Sequence, residues 1–98
     1  MISLKLLREF WQRYADAEAP LMLWYKTAQR AAWSGFHEIR KTYRHADSVR
    51  VSDRDTLTVF NIGGNKYRLV VRIRYDYQLI DVRAVMTHEE YSKGKWKE

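Results

Sequence analysis

The segment Lys66–Tyr75 constrains this chain more than any other. Its apolar residues alternate with charged ones, which predicts a strand. Successive strand side chains point to opposite faces of a sheet. Tyr67, Leu69, Val71, Ile73 and Tyr75 therefore share one face, and Lys66, Arg68, Val70, Arg72 and Arg74 share the other. The first face is built for helices to cover. The second projects a row of cations, and such a row is not buried without partners.

The neighbouring segments supply the rest of a sheet. Thr56–Ile62 alternates and is rich in β-branched residues, and Gly63–Gly64–Asn65 after it is a tight-turn signal. Asp76–Tyr77–Gln78 reads as the next turn and Leu79–Met86 as a third strand. Two consecutive short turns imply an antiparallel meander. The residues after Met86 read as a polar tail carrying Lys93, Lys95 and Lys97.

The first half is helical. Leu7, Phe10, Trp11 and Tyr14 form one stripe of a helix over Ser3–Tyr14, with Ser3 as a plausible N-cap. Met1–Ile2, Leu4 and Leu6 fit a short opening strand as an alternative. A second helix is predicted over Ala17–Trp33, capped by Asp16, with Pro20 in its first turn and Leu21, Trp24, Tyr25, Ala28, Ala31 and Ala32 as its apolar stripe. The short break between the two suggests an αα-hairpin. Phe36, Ile39 and Tyr43 add one or two helical turns, and Arg44–Asp55 reads as a loop or irregular edge. Helices first and strands second make an α+β fold, and 98 residues fit one domain spanning residues 1–98.

Eighteen Lys and Arg against twelve Asp and Glu leave a formal charge of +6, which favours an anionic partner without choosing among nucleic acid, acidic protein and membrane surface. The absence of cysteine removes disulfides, thiol nucleophiles and cysteine-ligated zinc, and fits a reducing compartment. Lys5 and Arg8 interrupt any signal-peptide core, and no apolar run approaches the ~20 residues of a membrane helix. The expected location is the cytoplasm. Neither an HExxH motif nor a cluster of ligands at metal-binding spacing is present, so no metal or other cofactor is expected.

The cationic strand face has two readings. One is a solvated surface balanced by acids such as Asp76 and Asp81. The other is a phosphate track, widened by Arg83 on the next strand. Gly63–Gly64–Asn65 is a hairpin turn or, alternatively, an anion nest. Trp11, Trp24 and Trp33 sit in helical stripes and belong to the core, which leaves Tyr91 and Trp96 as the better base-stacking candidates. His37 and His45 read as surface residues. His88 follows the last strand where the ladder ends, next to the cationic face. An imidazole there is either solvent-exposed and idle or a proton donor or acceptor.

At these residues the chain resembles a family. Phe60–Asn61–Ile62–Gly63–Gly64–Asn65–Lys66–Tyr67–Arg68–Leu69–Val70 is similar to the central signature of the HigB toxins, within the wider RelE-like group. Leu7–Arg8–Glu9–Phe10–Trp11, Asp16–Ala17–Glu18–Ala19–Pro20–Leu21, Trp24–Tyr25, Ala46–Asp47 and Thr87–His88–Glu89–Glu90–Tyr91 match in the same order, so the resemblance covers nearly the whole chain. One departure is that family members usually carry a residue or two more before Ile2–Ser3, forming a first strand.

The resemblance implies a RelE-like fold, with a small antiparallel-dominated sheet packed against an N-terminal αα-hairpin. It implies a type II toxin–antitoxin pair, in which a helix-turn-helix, HigA-like antitoxin neutralises a toxin that cuts mRNA in the ribosomal A site. The implied reaction is metal-independent attack of a ribose 2′-hydroxyl on the adjacent phosphate. On that reading Arg68 serves the scissile phosphate, His88 is general acid or base, and Tyr91 stacks on or orients a nucleotide. Lys66, Arg72, Arg83, Asn61 and Asn65 support RNA binding. The alternatives are an RNA- or ribosome-binding module that never cuts, and an interaction protein whose basic face serves an acidic partner.

Overall fold

The computed structural model describes residues 2–97. The chain runs α1 (Lys5–Arg13), a 3-10 turn (Ala15–Ala17), α2 (Glu18–Arg30), α3 (Phe36–Thr42), β1 (Asp47–Ser52), β2 (Asp55–Ile62), β3 (Tyr67–Arg74), β4 (Leu79–Thr87), α4 (His88–Lys93) and a second 3-10 turn (Lys95–Lys97). The strands form one sheet in the order β1-β2-β3-β4 with every neighbour antiparallel. This is the α+β architecture expected, with an αα-hairpin on one face of a meander.

The alternation of β3 is realised in space. Tyr67, Leu69 and Val71 join Leu7, Leu21, Trp24, Ile39 and Phe60 in the main core beneath the helices. Ile73 and Tyr75 pack against its margin. Burying each such side chain contributes roughly 1.5–3 kcal/mol, so the helical layer is held by β2 and β3 rather than by its own propensity. Trp24 is buried and Trp11 is half-buried, as their helical spacing indicates, and Trp33 is buried although it lies beyond the end of α2.

Several local expectations are corrected. Arg44–Asp55 is the irregular edge rather than the loop: β1 lies within it at the sheet edge, pairs Asp47 with Val59 and Val49 with Leu57, and shifts register between Arg50 and Ser52. Only Val49 and Val51 carry its apolar signal, and its other residues face solvent, as edge strands usually do. The segment after Met86 is not a polar tail. β4 continues to Thr87, and α4 follows at once. Its start is a capping box, in which the Thr87 hydroxyl accepts from the Glu90 N–H and Glu90 accepts from the Thr87 N–H.

At the first helix the N-cap is Leu4, although the Ser3 hydroxyl accepts from the Lys5 N–H at 3.3 Å. No strand forms over residues 2–4, and Ile2 is buried in the main core. Asp16 does not cap α2, whose N-cap is Ala17. That helix ends at Arg30, three residues early, because Ala31 turns extended.

β4 carries a bulge opposite the Val70–Val71 step: Val70 faces Ala84 and Val71 faces Val82, leaving Arg83 as the extra residue. The bulge lets Val82 and Val85 both reach the main core side.

Candidate active site

The sheet face away from α1 and α2 is not bare. Leu57, Val59, Val70 and Met86 form a second, smaller core, flanked by Val49, Val51, Ala84, Tyr91 and Trp96. The C-terminal segment folds back over this face, and that decides the fate of the cationic row.

Arg68 is the residue most changed. It sits between Asn61 on β2 and Met86 on β4 and is only 7% exposed. A buried guanidinium must find partners. Its Nη2 donates to Asn65 Oδ1 at 2.6 Å, and its Nη1 donates to the carbonyls of Asn65 at 3.3 Å and Tyr67 at 3.2 Å. The guanidinium carbon lies 5.5 Å from the centroid of the Tyr91 ring. Part of the donor fork remains unused by these bonds. The turn is shaped for this: Gly63 and Gly64 take positive φ, and Asn65 follows with its amide oxygen on Arg68.

Tyr91 and Trp96 stack on each other at 5.0 Å with planes 16° apart, and the Trp96 indole donates to the Tyr91 carbonyl at 3.0 Å. They are therefore not two free stacking platforms, as expected for a tail, but one partly buried lid over the second core. Burial, and next the nearby Asp47 carboxylate, push the Tyr91 hydroxyl above its ordinary range, while Arg68 pulls the other way. Tyr91 is thus a neutral phenol that can donate a hydrogen bond.

His88 is the first residue of α4 and is exposed. Its backbone N–H donates to the Lys66 carbonyl at 2.9 Å, which locks the helix start to the beginning of β3. Tyr91 follows it at position i+3, so the two share one side of the helix. Arg68, His88, Tyr91, Asn65 and Asn61 are thus brought to one end of the sheet. Asp47, which faces Val59 there and acts on Tyr91, is a neighbour that sequence reasoning assigned no role.

The remaining cations do not form the expected continuous track. Lys66 lies in the turn, and its ammonium swings to the helical side, 2.9 Å from Asp16. That same carboxylate accepts a short hydrogen bond from the Tyr67 hydroxyl, whose ring packs against Phe10 and Tyr14. The pair holds Asp16 below its ordinary carboxylate range and pushes Tyr67 up to about 12. Arg72 is bound to Asp55 at 3.3 Å, and Arg83, in the bulge, reaches Asp81 at 3.7 Å. Val70 and the second core stand between Arg68 and Arg72. The balanced, solvated reading therefore describes the Arg72 end, with Asp55 and Asp81 as its acids.

Residues 17–94 match the sequence model of the HigB toxin family, the RelE-like toxic component of a toxin–antitoxin system. The chain belongs to this family. It is also similar to the mRNA interferase toxin HigB of Escherichia coli (strain K12), 26% identical over 91 residues that cover 93% of this chain and 86% of that protein. The mRNA interferases HigB of Escherichia coli O157:H7 and Shigella flexneri match to the same extent. As the toxic component of such a system, a HigB-family chain has an antitoxin as its partner. The matched region includes the whole of Asn61–Tyr91, so every residue of the cluster around Arg68 lies inside it. No helix among the described residues is long and apolar enough to cross a membrane.

Proposed function

We propose that this HigB-family toxin is a cytoplasmic, single-domain endoribonuclease that cuts translated mRNA in the ribosomal A site and so blocks translation. The observation that carries the reading is the convergence of Arg68, His88 and Tyr91 at one sheet end, in a chain similar to proteins named mRNA interferases.

The chemistry suits these groups without a cofactor. The ribose 2′-oxygen attacks the adjacent phosphorus as its proton passes to a base. The bond from phosphorus to the 5′-oxygen breaks, and that oxygen takes a proton from an acid. The products are a 2′,3′-cyclic phosphate and a 5′-hydroxyl. Arg68 supplies the fixed positive charge that the phosphorane needs, already oriented by Asn65. His88 serves as acid or base at the rim. The protonated Tyr91 hydroxyl orients the phosphate or the nucleotide, and Asn61 and Asn65 contribute RNA contacts of lesser weight, whereas Lys66, Arg72 and Arg83 are held by acids. The ribosome completes the site by presenting the mRNA. The partner that neutralises the toxin is a helix-turn-helix, HigA-like antitoxin.

Mapping mRNA ends after induction, together with cleavage assays with and without ribosomes, tests this. Ends bearing 2′,3′-cyclic phosphate within translated frames, lost in His88→Ala and Arg68→Ala, are expected. Ribosome binding without any cleavage would instead identify a non-catalytic binding module, a reading that the near-complete burial of Arg68 favours.

A further inference from the structure

We infer that α3 and the turn into β1 form a second RNA-phosphate site, continuous with the Arg68 site and built from Arg40, Arg44, His37 and His45. The inference rests on the ribonuclease reading above and names where the RNA backbone runs beyond the cut.

The first observation is contiguity. His37, Arg40, Arg44 and His45 line one open depression on the surface. Arg44 and His45 also line a second depression with Thr42, Tyr43, Ala46, Asn61 and Gly64. Asn61 is the register partner of Arg68, so the basic surface reaches the residue beside the scissile-phosphate seat. The register explains why. β1 begins opposite Val59, so β2 projects past the end of the edge strand, and the turn from α3 occupies the space beside Asn61.

The second observation is charge. Arg72, Arg83 and Lys66 each have a carboxylate within 4.0 Å, whereas no ion pair among the described residues involves Arg40 or Arg44. Arg40 lies 6.0 Å from the Phe36 ring centroid, a contact that leaves its charge unneutralised. Two acids border this region, and neither is within ion-pair distance of Arg40 or Arg44. Glu38 accepts from the Ser34 N–H at 2.6 Å and hydroxyl at 2.9 Å, with His37 and Lys41 near it, and Asp47 accepts from the Ser48 N–H at 2.9 Å. All four basic side chains are exposed. Two free guanidiniums flanked by imidazoles in an open groove fit phosphodiester oxygens, which Arg binds as a planar fork. Of the cations that the sequence nominated for a phosphate track, Lys66, Arg72 and Arg83 are ion-paired, whereas Arg40 and Arg44, outside that track, have no ion pair among the described residues.

The phosphates have two sources, mRNA nucleotides next to the cut or ribosomal RNA. The test compares wild type, Arg40→Gln/Arg44→Gln, and a control with equal charge loss, Lys26→Gln/Arg30→Gln, on α2. Affinity is measured over a salt series for a short single-stranded 2′-O-methyl RNA, which lacks the nucleophile, and for bacterial ribosomes without mRNA. Cleavage by each protein is recorded alongside, and thermal melts confirm folding. The Arg40/Arg44 variant is expected to bind ~10-fold or more weakly than the control, with a salt slope shallower by about one to two. A loss confined to the oligonucleotide assigns the site to mRNA, and a loss confined to ribosomes assigns it to ribosomal RNA. Affinity and slope equal to the control's overturn the site while wild-type cleavage leaves the ribonuclease reading standing. A wild type that neither binds nor cuts overturns both.

Discussion

The Arg68 guanidinium lies 5.5 Å from the centre of the Tyr91 ring, joining the second residue of β3 to the C-terminal helix. This contact ties the proposed phosphate ligand to the segment that covers it. Removing the ring in Tyr91→Ala loses the Arg68 contact and the Trp96 stack, at a cost of about 1–2 kcal/mol by chemical denaturation. Tyr91→Phe keeps both and stays within about 0.5 kcal/mol of wild type. Comparing the cleavage rates of the two then isolates the hydroxyl. Equal stability of wild type and the alanine variant would show that the lid contributes nothing to the fold.

Arg68→Ala is expected to lower cleavage by roughly 10²–10³-fold, the usual loss when one preorganised transition-state donor is removed. Arg68→Lys keeps the charge but not the fork that Asn65 orients, so it recovers only part of the rate. Single-turnover cleavage on programmed ribosomes reads this directly. Full activity in Arg68→Ala would remove Arg68 from the mechanism.

The Asp16–Tyr67 pair sets a two-sided pH dependence. Asp16 sits below its ordinary value of 3.8, chiefly through the Tyr67 hydroxyl and then Lys66, so its stabilising contribution holds above that pH and fades as pH falls through the lowered value. Tyr67 is raised from 10.0 to about 12, chiefly by the Asp16 hydrogen bond, so its contribution holds below pH 10 and is lost as pH rises towards about 12. In Asp16→Asn the Tyr67 phenol should ionise closer to 10, which ultraviolet titration against a Tyr67→Phe reference resolves. A titration unmoved by the substitution would show that Asp16 does not hold the proton.

Thr87→Ala deletes one half of the capping box and should cost about 1 kcal/mol. The loss is expected as faster amide exchange confined to α4, with cleavage reduced because His88 and Tyr91 both ride on that helix. Exchange that quickens equally in β2 and β3 would mean that α4 does not open on its own.

The division of labour between sequence and structure shows in β3. Period-two alternation dictated which residues face the helices, because a strand has no other way to display them, and Tyr67, Leu69 and Val71 are buried there. The turn residues Gly63 and Gly64 were legible for the same local reason, since their positive φ suits glycine. α4 was missed although a signal was present: Thr87 and Glu90 stand at capping-box spacing, but the polar composition behind them read as a tail. What only the tertiary structure decided is the fate of each cation. Whether Arg68 is buried, Arg72 neutralised by Asp55, or Arg40 left free depends on partners distant in the chain, brought close by strand register and by the fold-back of the C-terminal helix. Charge is fixed by composition, but its effective value at a site is set by what lies within a few ångströms, and no local pattern encodes that distance.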